Sequence, residues 1–366
     1  MEWNSRDKNM DRIPLSKPIF TKEMEEAAID ALQNEFFVLG ESVYKFEEEF
    51  ARYIGTKFAI SVNSGTFALT ASLIAFNFQG NTPILTTPMS FVATANSIIH
   101  AGYTPEFTDI KYNSGNINIT SLSKKYKAII PVHLYGNPCN MEELLEFKEK
   151  TGMIIIEDAC QSHGSTYNNK KLGSIGDVGC FSFYSTKNMT VGGDGGMVTT
   201  DNKQIAEKII NLRDCGRISK YEHTTIGYTA RLNSVNAAIG RVQLKYLDAW
   251  NENRRNAANI YNKKLPDSIK LDYQKNCIYH IYAVQVENRH SVIDKLNKNG
   301  IDTGIHYPIP IHLQPVYKRM FGYKEGDYPM AEKFSKNILS LPLYPEITSH
   351  QVEYICEKLC EEIDCE

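Results

Sequence analysis

The sequence predicts an α/β fold, a mostly parallel central sheet covered by helices, with a smaller α+β domain at its C-terminal end. Three observations carry this reading. Short apolar runs alternate with helical stretches from Ala59 onward. The acidic pair Glu157-Asp158 closes the wholly apolar run MIII, as at the carboxyl end of a buried strand. Near Trp250 the composition passes from Ala, Val and Leu to the charged helical sequence ENRRNAANIYNKK, which sets a boundary there and gives domains over 13–250 and 251–366.

Residues 1–12 are charged and without period, a loose arm. Lys22 to Asn34 sets Met24, Ala27, Ala28, Ala31 and Leu32 at helical spacing, and a second helix follows the Leu39-Gly40 turn over Val43 to Tyr53. Ala59 to Val62 is a short β-prone run, Asn63 to Thr66 a turn, and Phe67 to Phe76 an apolar helix. A strand, a small-residue turn and a helix start together present unpaired backbone N–H groups to an anion. Gly65 allows close approach, and Ser64 and Thr66 add hydroxyls. Ser and Thr are equally the usual N-caps of helices that bind nothing, so the unit suits a phosphate without requiring one. It matches neither the dinucleotide G-x-G-x-x-G pattern nor the P-loop.

The alternation continues through PILTTP, a helix around Phe91 to His100, TPEFTDI, KAIIPVHLYG, a helix over Met141 to Thr151, and GMIIIEDA. Ligands of such sheets gather at the carboxyl ends of the strands. There Glu157 and Asp158 are followed by Gln161 and His163, so an acid, an amide and an imidazole cluster where the sheet opens. A buried carboxylate is costly unless a cation meets it, although a single acid at a strand end also serves as an N-cap.

The stretch Phe181 to Gly196, FSFYSTKNMTVGGDGG, places Lys187 just past a strand over Gly179 to Tyr184 and ahead of a glycine-rich turn at Gly192 to Gly196. A partly desolvated lysine favours its neutral, nucleophilic amine. Taken alone, the stretch reads sooner as a solvent-facing lysine before an ordinary hairpin than as a nucleophile. Beyond it come a helix over Gln204 to Cys215 and a polar loop over Gly216 to Ala230, long enough to be functional or interfacial. A helix over Ser234 to Asn251, a strand over Tyr279 to Val286 and the Pro-rich Ile305 to Tyr317 follow, the last a loop suited to lining a pocket.

The totals exclude several classes. A chain of 366 residues with 42% hydrophobic and 11% aromatic content is long and apolar enough for a large core, so disorder is not its main state. A net charge of -3 and a pI near 6.3 give no chain-wide attraction for nucleic acid or an acidic membrane. No apolar run approaches the roughly 18 to 20 residues that span a bilayer, and the polar Met1 to Arg12 lacks a signal-peptide core, so a cytoplasmic protein is expected. The eight cysteines, scattered through apolar runs, read as reduced thiols. Cys356 and Cys360 lie one helical turn apart with Cys365 nearby, but no four-ligand set forms, and no metal is expected.

Taken in order, SGT, TTPMSFVATAN, EDACQSHG, FSFYSTKN with GGDGG, HYPIPIHLQP and LSLPLYP make the chain resemble the DegT-type nucleotide-sugar aminotransferases, of the fold-type I, aspartate aminotransferase-like class. The resemblance runs from about Ile13 to the C-terminal helix. It implies the three-layer fold of pyridoxal 5′-phosphate transferases. It further implies that Lys187 bonds the cofactor aldehyde and later moves the reaction proton, and that Asp158 pairs with the pyridine nitrogen, keeping the ring an electron sink. Gln161 then bonds the ring hydroxyl, Phe91 stacks on the ring, and Ser182 with Gly65 and Thr66 holds the phosphate. His163, His306, Tyr307 and His312 are candidates for the substrate side.

Many relatives carry G-[YF]-N-Y-R before the Ala-rich helix, with the Asn reaching the neighbouring subunit's cofactor phosphate. Here the stretch reads Gly227-Tyr228-Thr229-Ala230-Arg231, so Thr229, Arg231 or Asn233 takes over that contact or it is weaker. The resemblance implies a homodimer with shared active sites. It also implies transfer of an amino group from L-glutamate to a nucleotide-linked keto-sugar. Gln161 followed by His163 points to C3 of a 3-keto hexose. A C4 (4-keto-6-deoxy) sugar aminotransferase and a non-catalytic cofactor-binding regulator remain the alternatives, and a dehydratase, which carries His in place of the lysine, does not fit Lys187.

Overall fold

The computed structural model describes residues 12–120, 122 and 126–363. Helix α1 (Lys22–Asn34) is capped by Thr21, and α2 (Glu41–Ile54) ends on Gly55 in the left-handed region, where a side chain is strained. Strand β1 (Phe58–Val62) leads through Ser64, whose hydroxyl accepts from the N–H of Phe67, into α3 (Gly65–Phe76). Helix α3 is almost wholly buried, so its apolar residues surround it instead of forming a stripe. The chain then alternates through β2 (Pro83–Thr86), α4 (Ala93–His100), β3 (Thr104–Phe107), β4 (Ala128–Ile130), α5 (Met141–Thr151) and β5 (Ile154–Asp158).

A two-residue-strand hairpin, β6 (Thr166–Tyr167) and β7 (Lys170–Lys171), precedes β8 (Val178–Ser182) and β9 (Gly196–Thr200). These strands make one seven-stranded sheet in the order β1-β9-β8-β5-β4-β2-β3. All pairs from β3 to β8 are parallel, and β9 runs antiparallel between β8 and β1. Register places Gly196 opposite both Val62 and Ser182, so the end of β1, the end of β8 and the start of β9 meet at one point.

Helix α6 (Lys203–Arg213) is followed by the long loop and by α7 (Ser234–Lys264), 31 residues without a break. The sequence boundary near Trp250 falls inside this helix. Its first half packs on α1 and α2, while Ala257, Ala258 and Tyr261 join a C-terminal core. That core is built on the antiparallel pair β10 (Tyr282–Gln285) and β11 (Ile338–Leu341), with α8 (Arg289–Lys298) and α11 (Ser349–Cys360), and it also takes in Ile13. The change of composition therefore marks where one helix passes between two cores. No linker lies there. The Pro-rich segment holds a short helix, α9 (Pro315–Phe321), begun by Pro at its first turn, and α10 (Pro329–Asn337) starts likewise.

Cys139, Cys160, Cys180, Cys215, Cys277 and Cys356 are free thiols, and among the described residues no cluster suits a metal. Among the same residues no helix is long and apolar enough to cross a membrane. Most of the expected N-terminal arm, and Cys365, lie outside the described residues.

Candidate active site

The carboxyl ends of β1, β5 and β8 bring Gly65, Asp158 and Ser182 together. A Cβ on Gly65 would lie 2.7 Å from the Ser182 Cβ and 2.9 Å from the Cys160 sulfur, so only glycine lets α3 begin against these two residues. Gly196 is tighter still, since a Cβ there would stand 2.4 Å from the Ser64 carbonyl oxygen. The glycine-rich turn thus seats the first turn of α3 on the β8–β9 hairpin. Its free N–H groups, with the half-buried hydroxyls of Thr66 and Ser182 beside them, form a cradle for an anion.

Asp158 is buried, and its carboxylate accepts from the Thr94 hydroxyl at 2.8 Å and the Cys160 N–H at 3.2 Å. Thr94 Oγ1 in turn lies 2.8 Å from Ser90 Oγ. Among the described residues no basic side chain forms an ion pair with Asp158. A buried carboxylate held only by neutral donors is incompletely compensated and suits an added cation. Lys187 follows β8, its N–H donating to the Tyr184 carbonyl. Crowding by protein lowers its pKa, an effect partly offset by Cys160 and Asp158, which places lysine and carboxylate within electrostatic reach of each other. A larger share of neutral amine follows at any given pH.

The preceding residue, Glu157, points to the other side of the sheet and is fully buried. It accepts from the N–H groups of Gly173, Ile175 and Gly176 at 2.8, 2.7 and 2.6 Å, and lies 3.1 Å from His133 Nε2. The Cys139 N–H donates to His133 Nδ1, so that nitrogen is bare and the ring proton sits on Nε2, toward Glu157. Burial alone would raise the Glu157 pKa, but these hydrogen bonds outweigh it and hold the group below its ordinary value. Glu157 thereby pins the 173–176 loop beneath the strand that presents Asp158.

Gln161 is buried, its Oε1 accepting from the Tyr135 N–H at 2.7 Å and its Nε2 donating to the Tyr307 hydroxyl at 3.2 Å. Phe91 is exposed, 6.1 Å from the Tyr307 ring. Tyr307 keeps its proton, since burial and the nearby Asp158 charge both raise its pKa. His306 lies against Ser340 and, with His280, Thr186 and Leu15, lines a small cavity of about 70 Å³. His280 Nδ1 meets Asn188 Oδ1 at 3.1 Å, so the residue after Lys187 is tied to the C-terminal core.

Two expected substrate residues sit elsewhere. His163 is fully buried against the rings of Phe181 and Phe183, with both ring nitrogens lacking a partner. Burial and then the Lys187 charge push its pKa down to about 3. His312 is also fully buried, with Nε2 3.0 Å from Glu332 and its ring against Tyr328, in a packing cluster of the Pro-rich segment. Neither ring is open to a substrate. Tyr135, Thr94 and His280 belong to the site and were missed by sequence reasoning, although Thr94 falls within the motif TTPMSFVATAN.

At the end of the long loop, Thr229 is exposed, with its hydroxyl 3.4 Å from the Cys215 sulfur. Arg231 pairs with Asp214 at 2.8 Å, and Asn233 caps α7 through the Asn236 N–H.

The model of the DegT/DnrJ/EryC1/StrS aminotransferase family matches residues 18–360. This chain belongs to that family. A UDP-N-acetyl-3-dehydro-alpha-D-glucosamine 3-aminotransferase of Acidithiobacillus ferrooxidans is 34% identical, over 88% of this chain and 89% of its own. The solved structure of DesV from S. venezuelae in complex with a ketimine intermediate superposes with a TM-score of 0.92 at 31% identity, covering 96% of this chain and 99% of that one. The PLP-form of the putative sugar aminotransferase Spr1654 from Streptococcus pneumoniae gives 0.88 at 25% identity, covering 95% and 97%. The expected fold and cofactor are both supported by these matches. As a DegT-family member, the chain is a pyridoxal phosphate-dependent sugar aminotransferase.

Proposed function

We propose that this aminotransferase moves an amino group from L-glutamate to C3 of a nucleotide-linked 3-keto hexose. The observation that carries the cofactor assignment is the pair of ionisable groups at adjacent strand ends. Asp158 is buried without a cation, and Lys187 is crowded toward its neutral form beside it. A pyridine nitrogen fits the first and an aldehyde the second. Gly65, Thr66 and Ser182 would hold the phosphate, Phe91 would cover the ring, and Gln161 would face the ring oxygen. Once bound, the cofactor supplies an electron sink for the carbon that loses its proton. Lys187 then holds and returns that proton, its low basicity suiting the task. His306 and Tyr307 are the substrate-side residues that remain open to the site.

The C3 assignment rests on Gln161 followed by His163, and on the relative named as a 3-aminotransferase. A homodimer is supported by the exposed apolar residues Phe36, Phe37, Tyr221 and Ile226, from 65% to 92% exposed, which cluster by sequence on the entry to α2 and the long loop. In such a dimer the exposed Thr229 takes the cross-subunit phosphate contact, since Arg231 and Asn233 are already engaged.

The test is a panel of 3-keto and 4-keto nucleotide sugars offered with L-glutamate and read by mass spectrometry. A one-amine product from a 3-keto substrate is expected, and a product only from 4-keto substrates would overturn the C3 assignment. Lys187→Ala is expected to lose the visible absorbance of the loaded protein together with all turnover.

A further inference from the structure

Tyr135 ties three segments of the site together. Its N–H donates to Gln161 Oε1 at 2.7 Å, its carbonyl accepts from the His280 N–H at 2.8 Å, and its hydroxyl donates to the His306 carbonyl. The side chain is fully buried, and the residue takes φ 59, ψ 14 in the left-handed region. A non-glycine residue enters that region at a cost, so surrounding contacts must hold it there. Gly136 follows with φ 83, and a Cβ on it would stand 2.9 Å from the Gln161 carbonyl oxygen, so the turn is pressed against the Gln161 main chain as well.

The direction of the Gln161 amide follows. A main-chain N–H can only donate, so the atom facing Tyr135 must be the amide oxygen. The amide nitrogen then points the other way, with one hydrogen on the Tyr307 hydroxyl and a second hydrogen left over. Tyr307 is an acceptor in this bond, and its own hydrogen is likewise free to point into the site.

We propose that Tyr135 is a positioning residue whose main chain turns Gln161 so that only N–H hydrogens face the site, and whose hydroxyl holds the 306–307 segment that keeps Tyr307 on the same amide. This rests on the reading that Gln161 faces the ring oxygen of pyridoxal phosphate. A donor there stabilises the deprotonated oxygen and favours loss of the proton shared by the bound cofactor. An amide turned the other way would present oxygen and favour the protonated form. The two orientations therefore predict shifts of opposite sign when the amide is removed.

The experiment is a pH titration of the visible band of the protein loaded with pyridoxal phosphate, in wild type, Gln161→Met, Tyr135→Phe and the double variant. In Gln161→Met, which keeps length without a donor, the midpoint is expected to rise by about one pH unit. Tyr135→Phe, which removes only the bond to His306, is expected to raise it by less, and to add nothing in the Gln161→Met background because it acts through the same amide. A fall in Gln161→Met overturns the orientation. An unmoved midpoint in Tyr135→Phe overturns the role given to the hydroxyl, whereas the main-chain bond, which this variant keeps, is judged by the sign of the Gln161→Met shift. Should Gln161→Met not fold, Gln161→Ala takes its place in the same titration, with the same rise expected and a fall overturning the orientation. A wild type that takes up no pyridoxal phosphate would instead remove the site assignment on which the inference stands.

Discussion

At the scale of single residues, burial in and around the site makes several imidazoles harder to protonate than they are in water. His163 and His306 are pushed down to about 3 and about 4, and His280 is lowered as well, in each case first by burial and next by the Lys187 charge. The unfolded chain binds protons on these rings below about pH 6.5, whereas the folded chain does not. Stability from this source is thus fully present above that pH and is lost as pH falls toward the folded values. His163→Phe, which fills the same space against Phe181 and Phe183, is expected to flatten the acid side of the stability profile between about pH 6.5 and 3, measured by denaturant unfolding at a series of pH values. An unchanged slope would mean that the ring is protonated in the native state. Thr229 offers a second residue-scale prediction. Thr229→Asn is expected to slow cofactor release, read by the decay of the visible band on dilution, if the contact passes between subunits.

The elements explain why the cradle takes the form it does. Ser64 caps α3, and its carbonyl lies where the Cβ of any residue other than glycine at 196 would fall. Gly196→Ala must push the helix start away from the hairpin, and a cost of about 1 to 3 kcal/mol is expected by thermal or denaturant melting, together with faster loss of cofactor. The strand-turn-helix unit, the apolar strand ending in Asp158 and the lysine after β8 were all legible in the sequence. Periodicity and strand-end position alone bring them to one edge of the sheet. The use of Gly196 was not legible, because it answers to a residue 132 positions earlier, across the β1–β9 ladder. Tyr135 was hidden for a like reason. Nothing local marks a tyrosine that must adopt the left-handed conformation until the segments around it are known.

At the scale of the whole molecule, the order of motifs carried the family, and with it the cofactor, before any contact was known. The burial of His163 and His312 was not legible, because a histidine beside a motif is as easily buried as displayed, and only packing separates the two. The proposed dimer belongs to this scale. Sedimentation is expected to give a mass twice the chain's 41.5 kDa, and Phe36→Asp with Ile226→Asp to shift it toward the monomer and weaken cofactor retention together. Loss of dimer with full retention would mean that each subunit completes its own site.

Helix α7 belongs to two cores at once, from Ala237 beneath α2 to Tyr261 stacked on Tyr282. Such a shaft behaves as an axle shared by both halves. A cut within this helix would open the hydrophobic interior of both halves at once, so neither half can be excised with its interior sealed.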